Sequence, residues 1–228
     1  MARNRPLWIF LAAFSASGVS FGMFASLQYI YLDSYLQLGP RVAHALAVSV
    51  VAAIAALPLW LAIVRRWGKH RPWCVGLVII AACMGGLALL PAQPQSFWAY
   101  MVLAGLISLS GGAGMIAPFS ILGDIVDYDT LRTRQRRGGA FFALFTLVIK
   151  ANMAVGGGLA FLILGWAGYE TRAAAQMPSA VWAMKAGFCV LPAILALVAG
   201  LILWRFPLDA RRHALVRRRI DALERRSA

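Results

Sequence analysis

Charge is scarce in this 228-residue sequence: Asp, Glu, Lys and Arg together make up 13% of it, about half the share of a soluble domain. Acidic residues are the scarcest, 8 against 22 Lys and Arg. Cysteine is nearly absent. Cys74, Cys83 and Cys189 form no CxxC pair and stand near no histidine cluster, which excludes a disulfide scaffold and gives no zinc or redox signal. No nucleotide loop, HExxH or nucleophile elbow occurs in a plausible context, and no nucleophile-and-base pair is evident. An enzyme is therefore not expected, and neither a metal site nor a cofactor is indicated. What the sequence has instead is apolar side chains, 61% of the total. That excess excludes a water-soluble globule and a disordered chain, and leaves a polytopic membrane protein.

Six runs are long and apolar enough to cross a bilayer, which takes about 20 residues. They are Leu7–Leu32, Val42–Val64, Trp73–Leu90, Trp98–Gly123, Ala140–Gly165 and Val181–Trp204. The first is too long for the apolar core of a signal peptide and is read as a retained span. Runs of this length without alternation exclude a β-barrel, so the fold class is all-α. Residues 1–205 form the bundle. The rest, 206–228, is read as a basic amphipathic tail on the cytoplasmic leaflet.

Placement of the basic residues sets the topology. Eighteen of the 22 Lys and Arg fall on one side: the start, the second–third connector, the fourth–fifth connector and the tail. Arg41 and Arg172 fall on the other, and Lys150 and Lys185 lie within apolar runs. This bias places both termini in the cytoplasm. It also accounts for the net charge of +14, so nucleic acid is not an expected partner. Short loops and a basic tail fit a bacterial inner membrane.

Lys150 is the residue that most needs an explanation. It sits about 15 Å into its span, too deep to snorkel, where a lysine costs about 2.5–3.5 kcal/mol. It serves either a structural ion pair or contact with substrate or ion. Thr146 lies one turn earlier on the same face, whereas Asn152 points roughly opposite and reads as helix–helix glue. Lys185 is shallow enough to snorkel. Gln28 and Tyr29 in the first run are candidates for lining a polar cavity. Asp124, Asp127 and Tyr128 share a face at the end of the fourth run. Their cationic partners are expected in the basic connectors, Arg65, Arg66 and Lys69 among them. They form either a solvated ion-pair cluster or a latch that breaks as the protein changes shape. Ser110–Gly114 and Gly156–Gly158 suit close helix packing, and Pro58, Pro118 and Pro192 suit kinks.

The element Gly123-Asp-Ile-Val-Asp-Tyr128, the basic connector, Gly139–Phe145, Lys150 and the glycine triplet resemble the glycoside–pentoside–hexuronide:cation symporters. That family includes the melibiose carriers and belongs to the major facilitator superfamily. Arg65–Arg71 is similar to the superfamily's connector between the second and third helix of a half. The resemblance covers the chain as the second six-helix half of a carrier. It implies cation-coupled symport of a sugar or glycoside by alternating access. It also implies a cavity role for Lys150 and Thr146, and a cytoplasmic gating role for Asp124 and Asp127. Met115 stands where sugar-carrying members have an aromatic, and a related branch carries lysolipids, so a lysolipid-like amphiphile is the alternative substrate. The coupling ion, sodium or a proton, is expected to be bound mainly by the first half. Transport is thus expected to need a second six-helix half or a homodimer partner. The alternative is a truncated, non-transporting membrane protein or accessory module.

Overall fold

The computed structural model describes residues 4–135, 137–170 and 176–206; the tail expected over 207–228 lies outside them. Among the described residues there are six helical spans and no strand. The first span is α1 (Arg5–Ile30), continued by a π-helical turn, Tyr31–Tyr35. Then come α2 (Arg41–Trp67), α3 (His70–Ala88), α4 (Phe97–Thr133) and α5 (Gly138–Trp166). The sixth span is α6 (Pro178–Lys185), a π-helical turn (Ala186–Val190) and α7 (Leu191–Trp204). Pro192 has no N–H to close an ordinary helical turn, which rationalises the wider turn just before it.

Exposed tryptophans mark two levels along the bundle. Trp8, Trp67 and Trp204 sit at the basic end, and Trp98, Trp166 and Trp182 at the other; all are more than half exposed. Indoles concentrate at membrane–water boundaries because the ring is apolar and its N–H is not. Trp60 and Trp73, between those levels, are buried. Both described ends of the chain lie at the basic end. Asn4 bonds to Asp129, and Phe206 lies 6.4 Å from the ring of His70.

The helices pack in the order α5, α1, α7, α3, α4, α2. Exchanging the first three spans for the last three maps this order onto itself reversed. Since the first trio starts at the basic end and the second at the opposite end, the halves form an inverted repeat. Small residues make the contacts. A Cβ on Gly156 would meet the Val19 carbonyl oxygen at 2.6 Å and the Gly22 Cα at 2.9 Å, so α1 and α5 touch backbone to backbone. In the matching α2–α4 contact, a Cβ on Gly112 would meet the Trp60 ring at 2.6 Å. Trp60 Nε1 donates to the Leu109 carbonyl beside it.

Two aromatic clusters fill the interior. Near the basic end, Phe10, Phe14, Trp73, Phe119 and Phe145 bring α1, α3, α4 and α5 together, with Phe14 and Phe145 centroids 4.6 Å apart. Near the other end, Tyr31 stacks on Phe188 at 4.3 Å, joining the two π-helical turns. Tyr31 and Tyr35 hydroxyls donate to the Leu87 and Leu90 carbonyls at 2.7 and 2.9 Å, pairing acceptors at the end of α3.

The glycine triplet is thus not uniform. Gly156 lies in the α1 contact, while a Cβ on Gly158 would meet nothing within 4 Å. Gly156→Leu is expected to cost about 1–3 kcal/mol through overpacking and to lower the thermal midpoint of the chain in detergent. Gly158→Leu is expected to leave that midpoint unchanged. Equal midpoints for the two variants would refute the contact.

Candidate functional site

Polar residues with functional potential fall at three levels. At the basic end, α2 finishes with Arg65 and Arg66, both exposed, in its last turn. Cations there meet the negative end of the helix dipole. Gly68 follows with φ 86°, a left-handed conformation that glycine adopts without strain. This turn aims Lys69 at α4. Lys69 Nζ donates to Asp124 Oδ1 at 2.6 Å and to the Ser120 carbonyl at 3.3 Å. The ammonium's side chain is 32% exposed and the carboxylate's 12%, so the pair is only partly screened by solvent. Among the basic connector residues named from the sequence, the cation paired with Asp124 is the lysine. Arg65 and Arg66 make no ion pair among the described residues.

α4 does not stop where its apolar run stops at Gly123. It continues to Thr133 and carries Asp124, Asp127, Tyr128 and Asp129 on its extension. Asp124 is therefore held within a helix, not at its terminus, and the unfavourable dipole effect expected for it is weakened. Tyr128 is half-buried against the aromatic core near the basic end. Asp127 is half-buried as well.

Asp129 was not singled out from the sequence. It is the most buried carboxylate among the described residues, 4% exposed. Asn4 Nδ2 donates to its Oδ1 at 3.3 Å, and its Oδ2 is buried without a partner. The same Asn4 caps α1, its Oδ1 accepting from the Leu7 N–H at 3.2 Å. One side chain therefore ties the start of α1 to the end of α4. It also sets the carboxylate beside the first turn of α1. An Asp two residues after another in a helical register was a signal available to sequence reading, since it had to face a different neighbour.

Midway along α5, Lys150 is exposed and has no ion-pair partner among the described residues. Asn152 is buried on the opposite face, donating to the Phe14 carbonyl at 3.3 Å. Thr146 shares the face of Lys150; its hydroxyl donates to the Phe142 carbonyl at 2.9 Å, which leaves its oxygen free to accept. Met115 and Phe119 are exposed on neighbouring α4, and Phe119 packs edge-on against Phe145 at 5.1 Å.

Gln28 lies at a third level. Its Nε2 donates to the Tyr100 hydroxyl at 3.1 Å, linking α1 to α4, while Tyr29 beside it is exposed. The Gly22–Gly156 contact sets the register of the parallel α1 and α5. By that register, Gln28 is about 16–18 Å along the bundle from Lys150. The structure brings Lys150 and Thr146 together, and Lys69 and Asp124 together. It does not bring Gln28 or Tyr29 to Lys150. Lys185, shallow in its own span, lies 5.2 Å from the Tyr35 ring centroid.

Six apolar spans in an inverted repeat, with a lysine exposed at mid-depth, define a polytopic helical membrane protein. Residues 1–210 match the family described as MFS/sugar transport protein, and the chain belongs to it. This is a family of transporters, not of enzymes. An uncharacterized symporter of Synechocystis sp. is 27% identical over 96% of this chain and 41% of that protein. A glucuronide carrier protein homolog of Escherichia coli is 26% identical over 91% of this chain and 45% of its own length. A sodium-dependent lysophosphatidylcholine symporter 1 of Xenopus tropicalis is 28% identical over 72% of this chain and 31% of its own. The resemblance read from Asp124–Tyr128 and Lys150 is borne out at the level of family. The chain spans less than half the length of these relatives.

Asn4→Ala removes both the cap of α1 and the bond to Asp129. A lost cap costs about 1 kcal/mol, and an unpaired buried carboxylate adds about 1–3 kcal/mol. The thermal midpoint in detergent is expected to fall accordingly. Asn4→Asp keeps a cap but sets two carboxylates together, so it is expected to be no more stable than the alanine variant. A midpoint unchanged in both variants would show that the tie bears no load.

Proposed function

We propose that this chain is one six-helix half of a cation-coupled symporter that moves a sugar or glycoside by alternating access. It works against a second six-helix bundle, supplied by another half or by a second copy. The observation that carries this reading is Lys150, exposed at mid-depth and without an ion-pair partner among the described residues. Facing lipid, such a group costs several kcal/mol. Facing a partner bundle that brings a carboxylate, or a polar substrate in a watered cavity, it does not. Family membership and the carrier-like relatives agree with this reading.

Lys150 and Thr146 then present a donor and an acceptor to the hydroxyls of a sugar. The coupling ion, sodium or a proton, is held mainly by the second bundle, because every acidic residue of this sequence lies outside the middle of its spans. Lys69 and Asp124, with Asp127, Tyr128, Arg65 and Arg66, form the cytoplasmic gate. Their pairing closes the basic end in one state and breaks in the other. Both termini are cytoplasmic, and the membrane is the inner membrane of a bacterium.

A lysolipid-like amphiphile is the second reading. Met115, Phe119, Phe142 and Leu147, exposed on α4 and α5 on the side of Thr146 and Lys150, offer an apolar wall, and a lysophosphatidylcholine symporter is similar over 72% of this chain. A non-transporting accessory role is the third.

Uptake into proteoliposomes containing the native complex distinguishes them. A sodium or proton gradient is expected to drive accumulation of a labelled glucuronide, and Lys150→Ala is expected to reduce it at least about tenfold, the equivalent of 1.4 kcal/mol. Gradient-driven uptake of lysophosphatidylcholine alone would select the second reading. No uptake of either by a stable monomer would select the third. For the gate, Lys69→Asp and Asp124→Lys are each expected to abolish uptake, and the double exchange to restore part of it. Loss without rescue would remove the pair from the gating mechanism.

A further inference from the structure

At the basic end, α1 and α7 leave between them a groove of about 530 Å³ lined by Arg5, Ile9, Leu201, Ile202, Trp204 and Arg205. Its floor is apolar and open to the surroundings: Leu201 is 70% and Trp204 69% exposed. Its described charged side chains are both arginines. Arg5 and Arg205 are both exposed, and among the described residues neither has an ion-pair partner and no acidic side chain lines the groove. Arg5 opens α1 and Arg205 caps the end of α7, so opposite ends of two helix dipoles meet here and the guanidiniums supply the net charge. Trp204 marks the depth as that of the membrane boundary.

This combination selects its occupant. A soluble anion would meet the guanidiniums but leave the apolar floor bare. An apolar helix would cover the floor but strand two cations. An anionic phospholipid matches both, with phosphate at the boundary and an acyl chain below it. We propose that the groove holds one anionic phospholipid, its phosphate between Arg5 and Arg205 and an acyl chain along Ile9, Leu201 and Ile202. The site is separate from the face of α5 that carries Lys150 and Thr146, so its occupancy stands or falls independently of what is transported.

The test is native mass spectrometry of the full chain in mild detergent, with equimolar phosphatidylglycerol and phosphatidylcholine of matched acyl chains. The wild type is expected to retain the phosphatidylglycerol in about tenfold preference, since two guanidiniums face its anionic headgroup. Arg5→Gln and Arg205→Gln are each expected to lower that preference several-fold, and the double variant to erase it. The double lysine variant, which keeps both charges, is expected to retain most of it. A thermal midpoint in phosphatidylcholine equal to that of the wild type shows that the exposed substitutions leave the fold intact. Equal retention of both lipids by the wild type would overturn the proposal. So would undiminished preference in the double glutamine variant. Loss of preference on changing Arg217, Arg218 and Arg219 to Gln, with Arg5 and Arg205 in place, would put the lipid on the tail and overturn it too.

Discussion

Close packing on glycine, backbone to backbone between α1 and α5 and ring to glycine between α2 and α4, is the contact on which this architecture depends. Within lipid, burying an apolar side chain against another helix gains little over leaving it in hydrocarbon, so helices associate through packing and polar contacts. Gly22 against Gly156 and Gly112 against Trp60 supply that packing at equivalent places of the two repeats. Asn152, reaching from α5 to the Phe14 carbonyl, adds a polar contact beside the first of them. The aromatic clusters then fill the space that these contacts enclose.

The packing order has a functional side. α2 and α5 stand at its two ends, each held chiefly by one neighbour, and both turn long faces away from the bundle. Lys150 lies on one of those faces. A helix with a single firm neighbour is free to present the rest of its circumference elsewhere, and a mid-depth cation is tolerable there only against something polar. The polar pairs at the basic end have the reverse character: Lys69 with Asp124, and Asn4 with Asp129, hold elements of one bundle to each other.

Most of the architecture was legible in the sequence, because hydropathy and charge bias are averages over many residues. The six spans and the common side of the two ends of the described chain required no knowledge of any single contact. The family was legible in the Asp124–Tyr128 element and in Lys150, where residue type and spacing are restrictive. What was not legible depended on geometry that no run of residues encodes. The apolar criterion stops at Gly123, yet the helix continues, since hydrogen bonding along the backbone does not require apolar side chains. The choice of Lys69 over its arginine neighbours follows from the turn at Gly68. Asp129 escaped notice because, about 140° around the helix from Asp124, it belongs to another face and meets α1. Gln28 is by sequence a candidate for lining a polar cavity, and only the register of α1 against α5 shows that it lies at a different level from Lys150.

The extension of α4 has a mechanical meaning. Pro118 lies inside this helix and cannot bond to the carbonyl of Gly114, so the helix has a soft point between its membrane segment and its polar end. From Pro118 to Asp129 is about 16 Å of straight helix. A bend of roughly 10° at the proline carries Asp129 sideways by about 3 Å, as far as its hydrogen bond to Asn4 is long. The helix is thus a lever: a small change of angle in the hydrocarbon becomes, at the basic end, the difference between an Asn4–Asp129 tie made and one released.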